Sequence, residues 1–247
     1  MANPYLSIII PAYNEEKRLP KTLRAINEYL RGAKYDYEIL VVNDGSKDNT
    51  AEVVRSMEGE IKNLSLLDNA VNQGKGSVVR EGMLKARGEI RLFTDADDST
   101  TIDHFEKMQP IFHKGYDVVI GSRAVRGAFL DPPQPIVRRI PGKIGNLIIQ
   151  VLVLPGIWDT QCGFKAFRAE VATEVFKRSK INGWGFDVEC LALARKMAFK
   201  IKEIPVHWVN DTSSRVKASA YLQVLMETIR IRLRLWTNAY GIRGRNT

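Results

Sequence analysis

Ile90–Thr101 reads IRLFTDADDSTT. Ile90-Arg91-Leu92-Phe93-Thr94 is a short β-prone run, stopped at Asp95, with Asp97 and Asp98 close behind. A run of that kind ending in polar residues predicts a buried strand that opens into a loop. In an open α/β sheet, ligands bind at the carboxyl ends of the strands, so this strand end presents several carboxylates to a ligand. Unpaired, they repel one another and raise each other's pKa, and a divalent cation removes the conflict. Asp95 and Asp97 are too few for an all-protein Ca²⁺ cage and lack the EF-hand glycine and distal Glu. They suit Mg²⁺ or Mn²⁺, with phosphate oxygens and water filling the other positions. The plainer alternative is a solvated acidic turn, or a helix cap at Ser99, Thr100 and Thr101.

Upstream the pattern repeats. Leu6–Ile10 is apolar and closed by Pro11-Ala12-Tyr13-Asn14-Glu15, and a helical pattern from about Pro20 places Leu23, Ile26, Asn27 and Leu30 on one face. Tyr37–Val42 predicts a second strand ending at Asn43-Asp44-Gly45-Ser46, where Ser46 or Asp48 can cap the next helix. Leu64–Leu67 predicts a third strand, and Gly74-Lys75-Gly76 opens another helix. Strand and helix alternate up to Ile90, which predicts an α/β fold with a doubly wound, mostly parallel sheet flanked by helices. The G-x-G-x-x-G fingerprint is absent after the first strand, which argues against a dinucleotide fold. Gly74-Lys75 is not a Walker A loop, because Asn69 stands where the first Gly belongs and Gly76 follows the Lys. A glycine-rich helix start with one Lys can still hold a diphosphate through backbone N–H groups, and glycines needed only for a tight turn are the alternative.

The 247 residues carry a formal net charge of +9, which implies an anionic partner. Much of the excess lies in Arg123, Arg126, Arg138, Arg139 and Lys143, set against Asp131 alone. Arginines beside a diphosphate site suit a second phosphate, because the guanidinium fork matches its oxygens. Nucleic acid is disfavoured: the charge sits beside apolar helices without interleaved exposed aromatics, and the acid cluster would repel phosphates. The uncharged stretch Ile144–Trp158 is too short to span a bilayer and reads as a buried core helix or an interfacial one, the preceding arginines favouring the interface. Near the C-terminus, Leu222, Leu225, Met226, Ile229, Leu233 and Trp236 share a helical face, and Arg230, Arg232, Arg234, Arg243 and Arg245 follow the last acid, Glu227. Such a helix lies on anionic lipid or docks on a partner helix. Cys162 and Cys190 lack metal-type spacing and predict free thiols and a reducing compartment. His104 and His113 fall on helical patterns without evident partners, and His207 ends the strand Ile204-Pro205-Val206. MANPYLSIII has no signal-peptide character.

Pro11-Ala12-Tyr13-Asn14-Glu15, Val42–Ser46, Asn72–Gly76 and Asp95-Ala96-Asp97, in that order and spacing, resemble the family 2 glycosyltransferases. The resemblance implies a GT-A fold in which Pro11, Ala12, Tyr13, Glu15 and Asp44 hold the nucleoside, Lys75 lies by the diphosphate, Ala96 lines the donor site, and Asp95 and Asp97 bind the metal. Related polyprenyl-phosphate mannosyltransferases have a Gln metal ligand where Ser99 stands here, so water or Asp98 would replace it. Asp159–Lys165 (DTQCGFK), Gly183–Glu189 (GWGFDVE) and Val206-His207-Trp208 resemble the dolichyl-phosphate β-glucosyltransferases over nearly the whole chain. Two departures stand out: no N-terminal anchor is seen, which suggests a prokaryotic or peripheral relative, and Ser213-Ser214-Arg215-Val216 replaces a Gly-Ser-Lys string.

The resemblance implies inverting transfer of a hexose, glucose from UDP-glucose, onto a polyprenyl or dolichyl phosphate at the cytoplasmic face of a membrane. GDP-mannose as donor and a soluble glycan as acceptor are the alternatives. Arg123 and Arg139 would align the acceptor phosphate, Asp97 would serve the metal, and Asp159 and Asp187 would bind sugar hydroxyls or act as a weak base. The expected layout is a GT-A unit over 1–218, with a nucleotide-sugar half (1–122) and an acceptor half (123–218), then a membrane-surface helix and tail over 219–247. Oligomeric state is left open.

Overall fold

The computed structural model describes residues 3–132, 136–209 and 218–242, with the side chains of 136–141, 143, 218 and 219 not described. Ser213–Val216, Arg243 and Arg245 lie outside the described residues, and so does the side chain of Arg139.

Four strands carry the first half: β1 (Leu6–Ala12), β2 (Tyr37–Asp44), β3 (Leu64–Asn69) and β4 (Ile90–Thr94). Between them run helices α1 (Leu19–Arg31), α2 (Thr50–Met57) and α3 (Lys75–Lys85). β5 (Val118–Ser122), β7 (Phe164–Arg168) and β8 (Ile201–Pro205) complete a seven-stranded sheet in the order β3-β2-β1-β4-β7-β5-β8. β6 (Phe129–Asp131) and β9 (His207–Val209) form a separate two-stranded parallel pair. The remaining helices are α4 (Phe105–His113), α5 (Ile136–Leu152), α6 (Ala169–Arg178), α7 (Phe186–Lys196) and α8 (Ala218–Trp236). The mostly parallel sheet flanked by helices agrees with the sequence reading.

Both faces of the sheet are dry because its strands alternate between two apolar layers. Ile8, Ile10, Ile39 and Val41 join Leu23, Ile26 and Leu30 of α1, whereas Ile9, Leu40 and Val42 join Val78, Val79 and Met83 of α3. Strands buried on both sides read as continuous apolar runs, as β1 and β2 do. Three expectations need correction. His207 does not end a sheet strand but opens β9, although β8, with Pro205, does lie at one edge of the sheet as a proline there implies. His104 is buried and partnered, its Nε2 accepting the His207 backbone N–H at 2.9 Å while Nδ1 lies 3.1 Å from the Thr101 carbonyl oxygen. Burial lowers its pKa. Helix α2, which carries Val53, has Asn49 as its N-cap residue in place of Ser46 or Asp48, although Asp48 Oδ1 does accept the Thr50 N–H at 3.0 Å.

The decisive departure from a uniform sheet is β7. It runs antiparallel to both β4 and β5, and Phe164 pairs with Thr94. The loop that precedes β7 therefore arrives at the same edge from which the Asp95 loop departs.

Helix α3 approaches the sheet through Gly82, where an added Cβ would come within 2.5 Å of Ile9 Cγ2 and 2.9 Å of Val42 Cγ2. Ala in a helix interior ordinarily gains up to about 1 kcal/mol over Gly. Here overpacking outweighs that gain, and Gly82→Ala should lose roughly 1–3 kcal/mol in urea unfolding. A stabilised variant would mean that α3 has room to shift.

Candidate active site

The loops after β1 and β2 are tied to each other before any ligand is considered. Asn14 N–H donates to Ser46 Oγ at 2.9 Å, Lys47 N–H to Asn14 Oδ1 at 2.8 Å, and Glu15 N–H to Thr50 Oγ1 at 2.8 Å. Pro11 and Ala12 are the buried end of β1, Tyr13 is exposed, and Glu15 pairs with Arg18. Asp44, at the buried end of β2, accepts the backbone N–H groups of Gln73 (2.7 Å) and Gly74 (3.0 Å) and the Asn72 side-chain amide (3.0 Å). Its carboxylate thus braces the glycine loop that opens α3. Burial raises its pKa despite those bonds.

That bracing delivers Lys75 across the sheet edge. Its Nζ lies 2.5 Å from Asp95 Oδ1, 5.6 Å from the centre of the Trp184 ring and 6.0 Å from that of Phe186. Burial works against the ammonium, but Asp95, Asp187 and Asp97 outweigh it and raise the Lys75 pKa. Asp97 is held by the Ser99 N–H at 3.0 Å, and burial followed by the Asp95 charge pushes its carboxyl up. Asp98 adopts a left-handed backbone (φ 56°) and is raised to about 6, first by burial. Ala96 is buried, and its carbonyl accepts the Thr22 hydroxyl at 2.7 Å.

Among the described residues no group of three or more His, Cys, Asp or Glu side chains is arranged to hold a metal. Two carboxylates do fit a cation that borrows its other ligands from a diphosphate and water. The Ser99 hydroxyl, two residues beyond Asp97, is buried with no hydrogen-bond partner among the described residues.

The loop before β7 closes the other side. Asp95 N–H donates to the Gly163 carbonyl at 3.2 Å, and a Cβ on Gly163 would fall 2.0 Å from Asp95 Oδ2. Asp159 is gripped by Arg123 through Nε (2.7 Å), Nη2 (2.9 Å) and the backbone N–H (2.9 Å). Burial opposes its charge, but Arg123 prevails and holds the carboxyl below its usual range. Asp95 is also among the charges that raise the Arg123 pKa, so the pair lies within electrostatic reach of the acid cluster. The Arg123 guanidinium sits over Trp208, 5.4 Å from the ring centre. Asp187 lies in the first turn of α7, whose N-cap is Gly185, and its Oδ1 meets the fully buried Lys165 Nζ at 2.5 Å. Burial raises the Asp187 pKa against the pull of Lys165 and Lys75. Both cysteines are free and buried, and burial pushes the Cys162 thiol up to about 12.

Asp44, Lys75, Asp95, Asp97, Asp159 with Arg123, and Asp187 with Lys165 are thus linked by contact or charge around the carboxyl end of β4. Sequence reasoning missed Lys165, which lies within the DTQCGFK string but reads as a surface lysine. It also missed Gly163 as the residue that lets Asp95 sit where it does.

A mostly parallel sheet with strand-end acids facing a glycine-rich helix start defines a GT-A type glycosyltransferase. The Glycosyl transferase family 2 model matches residues 7–176, and the chain belongs to that family. It is 38% identical over 254 residues to a dolichyl-phosphate beta-glucosyltransferase of Trichomonas vaginalis, covering 99% of this chain and 78% of that one. To the dolichyl-phosphate beta-glucosyltransferase of Homo sapiens it is 33% identical over 258 residues, covering 96% and 78%. Glucosyl-3-phosphoglycerate synthase from Mycobacterium tuberculosis, in a crystal with Mn²⁺, uridine diphosphate and glucosyl-3-phosphoglycerate, shares the fold. Its TM-score is 0.69 at 17% identity, over 98% of this chain and 82% of the other.

Two substitutions test the site's construction. Gly163→Ala must displace the Asp95 carboxylate, and a displacement of about 1 Å costs on the order of 100-fold in rate. Sugar transfer by the purified variant should fall by that factor while its circular dichroism is unchanged, and undiminished transfer would show that Asp95 can move freely. Lys165→Met strands Asp187 and should cost about 3–5 kcal/mol in chemical unfolding, most of it recovered in Lys165→Met/Asp187→Leu. A double variant as unstable as the single would contradict that origin of the loss.

Proposed function

We propose that this enzyme transfers glucose from UDP-glucose to a polyprenyl phosphate, with inversion at the anomeric carbon, at the surface of a membrane. The observation that carries the reading is the meeting of Lys75, Asp95 and Asp97 at the carboxyl end of β4. A diphosphate leaving group needs positive charge there, and electrostatic stabilisation of that kind is a large term in group transfer. The relatives' names support glucose and dolichyl phosphate as the substrates. The Mn²⁺ and uridine diphosphate bound by a protein of the same fold support the donor.

In this reading Lys75 binds the diphosphate and exchanges Asp95 for phosphate oxygens. Asp95 and Asp97 would hold Mg²⁺ or Mn²⁺, which when bound neutralises charge on the departing nucleotide. Pro11, Ala12, Tyr13, Glu15 and Asp44 border the nucleoside. The acceptor phosphate is already largely ionised near neutral pH, with a second pKa of about 6, so it needs alignment more than a base. Arg123 supplies that alignment with its fork pre-oriented by Asp159, and Arg139 is assigned the same task from its place in the basic segment. Asp187, held in the charged cluster by Lys165, is suited to binding a sugar hydroxyl.

Two apolar surfaces favour a lipid over a soluble glycan. Leu222, Met226, Ile229, Leu233 and Trp236 of α8 are exposed, and so are Ile144, Leu147 and Val151 of α5, which packs against α8. Exposed apolar side chains grouped in this way suit a bilayer surface, and Arg230 and Arg232 beside them suit anionic headgroups. No described helix is long and apolar enough to cross a membrane.

The test is to supply radiolabelled UDP-glucose or GDP-mannose with polyprenyl phosphate in vesicles and follow the label into organic extract. Label should move from UDP-glucose, stop on EDTA addition, and be lost in Asp97→Ala with the fold intact. Transfer from GDP-mannose, transfer only into water-soluble product, or an active Asp97→Ala in EDTA would each overturn the corresponding part.

A further inference from the structure

Helix α8 has a second face, turned inward, and it bears a buried acid. Glu227 Oε2 accepts the Gly185 backbone N–H at 2.6 Å, and Gln223 Nε2 donates to Glu227 Oε1 at 3.0 Å. Gly185 is the N-cap of α7 and has no side chain with which to satisfy the helix start, so an acid from a distant helix stands at that helix end.

The same carboxylate accounts for both glycines of Gly183-Trp184-Gly185. A Cβ on Gly183 would lie 2.2 Å from Gln223 Nε2 and 2.4 Å from Glu227 Oε1. On Gly185 it would lie 2.8 Å from Glu227 Cβ and Oε2. The opposite side of this loop is pressed against the diphosphate turn. The Asn182 carbonyl accepts the Gly76 N–H at 2.8 Å, and a Cβ on Gly74 would reach 2.5 Å from that oxygen. Residues 181–185 are therefore clamped between α8 and the loop that presents Lys75. Trp184, between the two glycines, lies against the Lys75 ammonium. The upstream end of the clamped segment is anchored separately, by Glu189 accepting the Lys180 and Ile181 N–H groups at 2.9 Å each.

We propose that Glu227 is a positioning residue for the donor site: by holding Gly183–Gly185 from α8, it fixes Trp184 against Lys75 and keeps that ammonium aimed at the diphosphate. It touches neither substrate nor reacting atoms. The inference rests on the donor reading above, so its test begins with binding of the nucleotide to the unaltered enzyme.

UDP with Mn²⁺ is titrated calorimetrically into wild type, Glu227→Ala and Glu227→Gln, and steady-state constants are taken with UDP-glucose. The amide of Glu227→Gln keeps an acceptor for Gly185 and should bind UDP nearly as wild type does. Glu227→Ala should weaken UDP binding and raise the donor KM by about tenfold, with the acceptor KM unchanged. Because Glu189 still anchors Lys180 and Ile181, its helical circular dichroism should match wild type. Equal UDP affinity in wild type and Glu227→Ala overturns the proposal, as does an equal rise in donor and acceptor KM. If Glu227→Ala fails to fold, Trp184→Ala in the same titration decides: wild-type UDP affinity there overturns it. Absence of UDP binding by wild type strikes the donor reading instead.

Discussion

Like charges at the open edge of a sheet set the terms for everything around them. Asp95, Asp97 and Asp187 fall within range of one another on a partly dry surface, and Lys75 stands among them as a counter-charge from another element. Lys75 is present because Asp44 grips the backbone of the turn before it, and Asp95 can meet it because Gly163 leaves the needed space. An ammonium already paired with a carboxylate is a ready exchange partner for a phosphate. On the proposed reading the ligand's oxygens would replace an existing contact, so no bare buried cation is needed beforehand.

How far this was visible in the primary structure depended on the type of side chain involved. β1, β2 and β4 announced themselves as apolar runs ending in Pro11, Asn43-Asp44 and Asp95, because strands buried on both faces leave no polar interruption. β7 lacks that signature for the converse reason. Lys165 sits in its middle, and a lysine in a five-residue run reads as surface, although it is fully buried against Asp187 and the Phe93 ring. The role of His104 is not legible locally because its partners, Thr101 and the His207 backbone, include one about a hundred residues away. The candidate acids were legible from their motifs; their partners were not. The Arg123–Asp159 grip depends on the reversed strand direction of β7, which no local pattern encodes.

Helix α8 divides its sequence between two environments in a way that its charge pattern alone obscured. The exposed Leu222, Met226, Ile229, Leu233 and Trp236 alternate with buried Val224, Glu227, Thr228 and Ile231. The inner row mixes apolar Val224 and Ile231 with Glu227, which accepts the Gly185 N–H, and Thr228, whose Oγ1 donates to the Val224 carbonyl, while the exposed side sets its large apolar residues beside Arg230 and Arg232. An ordinary globular helix leaves fewer large apolar residues on its exposed side. On the proposed reading, the inner face of α8 serves the donor site and the outer face meets a lipid surface.

The buried lysine of β7 also fixes the register of its strand. Successive strand residues face opposite layers, so a shift of one position would carry Lys165 into the layer of Phe164 and Ala166, where Phe105 and Met108 belong to the same cluster. An ammonium there would be stranded from Asp187. The register of β7 is thus held by Lys165 itself, at the end of the five-residue connection from Asp159 to Gly163. Within it Gln161 faces solvent, whereas Asp159, Thr160 and Cys162 are buried, so a change of length there must be absorbed without moving Lys165 from Asp187.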